Sequence, residues 1–75
     1  MTVNLEDIKR IVSLQMGNRE IRDEDRFLED LGAESLDVLN IIAAIEKKYK
    51  VAIKDSEIPE LQTPTALYTF IKERS

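Results

Sequence analysis

A chain of 75 residues and 8.6 kDa is one small domain with one core, because chains of this length bury only about 60–65% of the surface they expose when unfolded. The absence of Cys and His excludes disulfides, thiol nucleophiles, zinc sites built on either residue and imidazole general bases, while 43% apolar and 35% charged residues with two Gly and two Pro fit a folded chain. A net charge of −4, no apolar run near the ~18 residues of a membrane span and an N-terminus bearing Asn4, Glu6 and Asp7 instead of a basic leader predict a cytoplasmic protein that neither binds nucleic acid nor inserts in membranes.

Leu5, Ile8, Ile11, Val12 and Met16 recur at three- and four-residue steps, which predicts a first helix from about Asn4 to Gln15. Asn4 is its expected N-cap, Asp7 approximates a capping box, and Gly17-Asn18 stops it. Residues 17–34 keep no period. They read as a long ordered loop anchored by Ile21, Phe27, Leu28 and Leu31, with one turn of helix around 23–28. A loop of this length in a small domain points to function.

Ser35 opens the strongest helical pattern, running to about Tyr49. On a helical wheel Val38, Leu39, Ile41, Ile42, Ile45 and Tyr49 fill one continuous arc, the core-facing side. Leu36 and Ala43 lie just outside it and form an apolar strip at the border with solvent. Val51-Ala52-Ile53 is a connector, and Asp55-Ser56 caps a brief third helix through about Leu61, with Pro59 in its first turn. Thr63-Pro64 starts the last helix, with Thr63 as N-cap; Leu67, Tyr68, Phe70 and Ile71 pack inward before fraying at Glu73-Arg74-Ser75. The predicted fold is all-α, a small four-helix bundle with a long loop between helices one and two and a short third helix.

The charge is segregated. Residues 20–37 carry eight carboxylates against Arg22 and Arg26, a net −6, whereas residues 38–54 set four Lys against Glu46, a net +3. Asp23, Asp25 and Glu34 fall at positions one, three and twelve of an EF-hand loop, but Phe27 occupies position five and Leu28 stands where the turn requires Gly. No metal site is therefore predicted, and no catalytic residue either, since a small aliphatic bundle offers no cleft for paired carboxylates. The remaining constellation is Asp30-Leu31-Gly32-Ala33-Glu34-Ser35-Leu36-Asp37, where the loop becomes the main helix. Gly32 permits a tight turn, and Ser35 reads either as an N-cap worth about 1 kcal/mol or as a solvent-facing hydroxyl at a helix start that favours an attached phosphate. No base stands near it in sequence, so another enzyme would have to act on it.

This segment resembles the signature of the acyl carrier protein family, with Glu34 where most members have Asp. The likeness extends through Phe27-Leu28-Glu29, the helix from Ser35 to Tyr49, Ile53, and Ala66-Leu67-Tyr68 to Phe70-Ile71. It implies a carrier without catalytic activity of its own. A phosphopantetheinyl transferase would attach 4′-phosphopantetheine from coenzyme A to Ser35, and acyl intermediates would ride on the arm's thiol. The resemblance further implies an acyl-chain lining of Leu39, Ile42, Ile45, Ile58, Leu61 and Leu67, and a face for acyl-transferring and chain-elongating enzymes made of Glu34, Leu36, Asp37, Leu39, Ala43 and Glu46. Asn40, Lys47 and Lys48 depart from the family's acidic pattern, which implies a specialised carrier or diverged partners. The carrier is expected to be a monomer; alternatives within the resemblance are an aminoacyl or polyketide cargo, and outside it stands a helical interaction module that carries nothing.

Overall fold

A computed structural model describes residues 2–74. Among them lie four helical elements and no strand: α1 Leu5–Gln15, α2 Ser35–Tyr49, a 3-10 helix Asp55–Glu60, and α3 Pro64–Arg74. Among the described residues no helix is long and apolar enough to cross a membrane.

Local chemistry sets most of these ends. Asn4 caps α1, its Oδ1 accepting the Glu6 N–H at 2.8 Å; the two-residue step replaces the expected capping box, and Asp7 takes no part in it. Gly17 and Asn18 both adopt left-handed φ, +81° and +63°, the conformation that ends a helix at small steric cost. At α3 the Thr63 Oγ1 accepts the Ala66 N–H at 3.0 Å, as its Thr-Pro start predicts. Helix α3 continues through Glu73 and Arg74 instead of fraying there, with Arg74 donating to Glu57 at 2.6 Å and stacking over Phe70; Ser75 lies outside the described residues.

The third helix differs from expectation. Lys54 is its N-cap, held by the Glu57 carboxylate that accepts the Lys54 N–H at 2.9 Å, and Pro59 lies near its end instead of in the first turn. A 3-10 ladder of i→i+3 bonds lasts only a few residues, so a proline without an N–H removes one bond from an element already about to stop.

Between α1 and α2 no helix forms. Turns fall at 23–24 and 27–30 in place of the turn of helix expected around 23–28. An aspartate side chain takes a donor that a helix would use: Asp30 Oδ2 accepts the Arg26 N–H, which a helix would give to the Arg22 carbonyl, while Asp25 Oδ2 accepts the Arg22 N–H, both at 2.8 Å, an alternative that short acidic residues offer the backbone.

The segment is nevertheless tied down. Lys9 binds Asp23 at 2.9 Å, and the Asp23 carbonyl accepts both the N–H and the hydroxyl of Thr65, at 3.1 and 3.0 Å. Arg19 donates to the Leu31 carbonyl at 3.1 Å. Phe27, fully buried, donates its N–H to the Gln62 carbonyl at 2.9 Å and accepts from Ala33 at 2.8 Å. Gly32, at φ +66°, supplies the left-handed turn that lets Ala33 fold back onto Phe27.

The core gathers Ile8 and Val12 of α1, Val38, Ile41, Ile42, Ile45 and Tyr49 of α2, and Leu67 and Ile71 of α3 around that Phe27. The wheel's core arc is thus buried except Leu39.

One exposed ion pair makes the segment acid-sensitive. The Arg26 guanidinium hydrogen-bonds Asp30 through two nitrogens, at 3.0 and 3.1 Å, and with the Arg26 N–H holds the Asp30 carboxyl below the ordinary 3.8 of an aspartate. A carboxyl whose pKa folding lowers contributes stability above its unfolded value and loses it as the pH falls through the folded one. Thermal midpoints should therefore fall as the pH drops below about 4, and Asp30→Asn should flatten that decline because it forgoes the pair's contribution at neutral pH as well, a loss kept small by the pair's exposure to solvent.

Candidate functional site

Ser35 stands at the first position of α2, one residue inside the cap that the sequence suggests. Glu34, in extended conformation, is the N-cap. The reason lies in Asp37, whose Oδ2 accepts the Glu34 N–H at 3.0 Å and whose Oδ1 accepts from Gln15 Nε2 of α1 at 3.2 Å. A carboxylate reaching back from the third helical position closes this helix start with a charge-assisted bond. The Ser35 hydroxyl is thereby left without a hydrogen-bond partner among the described residues, on an exposed side chain. It also sits where the unpaired N–H groups and the dipole of a 15-residue helix favour an attached anion.

Beside this hydroxyl opens a groove of about 480 Å³ between the loop, α2 and the 3-10 helix. Leu28, Val38, Leu39, Ile58 and Pro59 make its lining largely aliphatic, and Glu29 and Gln62 complete it with Ser35. Four large hydrophobic side chains are exposed among the described residues; Leu28 and Leu39 line this groove, Leu36 adjoins Ser35 at 66% exposure, and only Leu14 lies elsewhere. A second groove, of about 520 Å³, runs along α1 past Glu6, Lys9, Arg10 and Ser13; it is polar and shares no residue with the first. An exposed, partnerless hydroxyl next to an aliphatic groove fits a flexible arm joined through a phosphodiester and ending in an apolar cargo.

The six residues expected to line an acyl chain divide in two. Leu39 and Ile58 face the groove. Ile42, Ile45, Leu61 and Leu67 are buried in the core behind it, with Ile45 and Leu67 at zero exposure.

Of the six expected partner residues, Glu34, Leu36, Leu39 and Ala43 are exposed. Asp37 and Glu46 are half-buried and engaged within the fold: Asp37 as just described, and Glu46 by accepting the Ile53 N–H at 2.9 Å, which ties the connector to α2. Asn40, Lys47 and Lys48 are exposed, and neither lysine has a carboxylate partner among the described residues.

Five groove residues escape the sequence reading, Glu29 and Pro59 among them. Val38 lies in the wheel's core arc and Leu28 reads only as a loop anchor, whereas Gln62, in a short link between helices, carries no periodic signal at all. The carboxylates of the acidic segment do not converge. Asp23 pairs with Lys9, whose ammonium pKa is raised by the hydrogen bonds it donates to Asp23 and then to Glu6, while Asp25 and Asp30 turn to the backbone.

The family described as "phosphopantetheine attachment site" matches residues 6–71. The acyl carrier protein of Wolinella succinogenes is 36% identical over 69 residues, covering 89% of this chain and 91% of that protein. Those of Helicobacter hepaticus and a Sulfurovum species are 35% and 33% identical over the same length, again covering 89% of this chain and 91% and 92% of theirs.

Proposed function

The chain belongs to the acyl carrier protein family, with its phosphopantetheine attachment domain, and from that premise we propose that residues 1–75 act as one discrete carrier domain armed at Ser35. The covalent cofactor of this family, 4′-phosphopantetheine, supplies a thiol on which acyl groups are held as thioesters. The chain itself contributes no catalysis; its residues present and shelter what other enzymes attach. The partnerless Ser35 hydroxyl at the start of α2, beside an aliphatic groove, carries this reading. The chain has no imidazole to deprotonate Ser35, which agrees with attachment by a separate phosphopantetheinyl transferase.

Leu39 and Ile58 give an acyl chain its entrance, and Ile42, Ile45, Leu61 and Leu67 are the apolar interior it would part to go deeper. Glu34, Leu36, Leu39 and Ala43 form the exposed part of the docking face for acyl-transferring and chain-elongating enzymes. Asp37 and Glu46 take part chiefly by holding that face in place. The cargo is a fatty-acyl or related lipid or polyketide unit; an aminoacyl cargo is the rival reading. Incubation of the purified protein with coenzyme A and a phosphopantetheinyl transferase, followed by intact mass measurement, should show a gain of one arm per chain. No gain would leave the alternative of a helical interaction module that carries nothing.

The docking face is split in charge, acidic at Glu34 and neutral to basic at Asn40, Lys47 and Lys48. Complementary charge mainly sets association rate and partner choice, and like charge repels. The chain is accordingly a specialised carrier, or one whose partners have diverged. Asn40→Glu, Lys47→Glu and Lys48→Glu together should raise the rate at which a housekeeping ketosynthase uses the loaded protein by roughly tenfold or more at low salt, the scale of electrostatic steering. Equal use of the two proteins would overturn the specialisation.

A further inference from the structure

The groove beside Ser35 contains one polar group that neither the fold nor simple burial of an alkyl chain accounts for. Gln62 lines the groove and is fixed twice: its backbone carbonyl accepts the Phe27 N–H at 2.9 Å, and its side-chain Nε2 donates to the Ile58 carbonyl at 2.7 Å. That second bond also decides the orientation of the amide, because a flipped side chain would set oxygen against oxygen. The remaining atom, Oε1, is buried and has no hydrogen-bond partner among the described residues. Buried acceptors are paired in the great majority of cases, and a purely aliphatic cargo would leave this one unpaired. The other side chains at the groove, apart from Ser35 and the exposed Glu29, are aliphatic.

Building on the carrier reading, we propose that Gln62 Oε1 is a receptor for a hydrogen-bond donor, an N–H or O–H, that the group attached to Ser35 brings into the groove. The donor has two possible sources of the same chemistry: an amide of the arm itself, or a hydroxyl on the cargo close to the thioester. In either case the groove reads polarity as well as length. A saturated chain gains only apolar burial there, whereas a group with a correctly placed donor also satisfies an oxygen that is already buried and held from both ends.

The test compares the unmodified full chain, labelled with ¹³C and ¹⁵N, with three modified forms of it: arm alone, butyryl-loaded and 3-hydroxybutyryl-loaded, each verified by intact mass. The readout is the Gln62 side-chain carbonyl resonance, which moves downfield when its oxygen accepts a hydrogen bond. A downfield shift on arming alone assigns the donor to the arm. A shift that appears with the 3-hydroxybutyryl form and not with butyryl, two cargoes differing by one hydroxyl, assigns it to the cargo. A resonance unmoved in all three forms overturns the inference and leaves the carrier reading intact, whereas failure to gain the arm's mass overturns both. No variant is required, so misfolding cannot mask the result.

Discussion

Ser35→Ala is expected to abolish the gain of arm mass completely while leaving the stability of the fold within about 0.5 kcal/mol of the native value. The two halves of this result rest on different observations. Loss of loading follows because no other hydroxyl occupies the start of α2 beside the groove. Preservation of stability follows because the Ser35 hydroxyl satisfies no group of the protein: Glu34 is the cap residue and Asp37 supplies the closing bond. Were Ser35 a cap, alanine would cost about 1 kcal/mol, or about 4–8 °C in the melting temperature of a domain this size. Intact mass and a thermal melt of the same sample separate the possibilities. A large drop in melting temperature would return Ser35 to a structural role, and arm transfer to the alanine variant would place the attachment elsewhere.

The second large effect is expected at Phe27, which is buried in the core. Phe27→Ala should destabilise the fold by about 3–5 kcal/mol, which is comparable to the whole stability of about 4–11 kcal/mol that 75 residues usually provide. Its ring has zero exposure, so its removal leaves a cavity that the surrounding aliphatic side chains fill only in part. The same residue ties the loop to Gln62 and Ala33 through its backbone, and a ring no longer seated there weakens the register of both bonds. Urea unfolding followed by far-UV circular dichroism should show the midpoint falling by roughly 3–5 M for an m-value near 1 kcal/mol per M. Phe27→Leu, which keeps most of the volume, should lose clearly less. An alanine variant as stable as the native chain would mean that the loop is not packed as described.

Sequence pattern and structure agree where one physical signal dominates. The apolar arc of α2, the Asn4 cap and the Thr63-Pro64 start are each decided within a few neighbouring residues, and each was legible. The start of α2 was legible in position and not in chemistry. Ser35 and Asp37 both belong to residue types that close helix starts, and the choice between them depends on Gln15, twenty-two residues away in sequence, which holds the other Asp37 oxygen. The fold-holding part that Glu46 plays is hidden for a similar reason. Nothing local reveals that its carboxylate turns inward to the Ile53 N–H instead of outward to a partner. The turn of helix expected around 23–28 gave way to aspartates that capture backbone donors, a competition that propensity alone leaves open. Gln62 was invisible because its significance is that of an atom lacking a partner, and that can be known only once its neighbours are in place.

Asp23 joins segments that are distant along the chain. Its carboxylate holds Lys9 of α1, and its carbonyl holds the N–H and hydroxyl of Thr65 in α3. The irregular segment therefore cannot peel away on its own without breaking contacts to both outer helices. Arg19, Arg22 and Arg26 lie along it, positions a trypsin-like protease would ordinarily cut first in an unstructured stretch. Pinned in this way, the segment becomes accessible to a protease chiefly when the whole domain opens, so the protein's lifetime in a proteolytic environment is governed by its global stability instead of by the looseness of its longest loop.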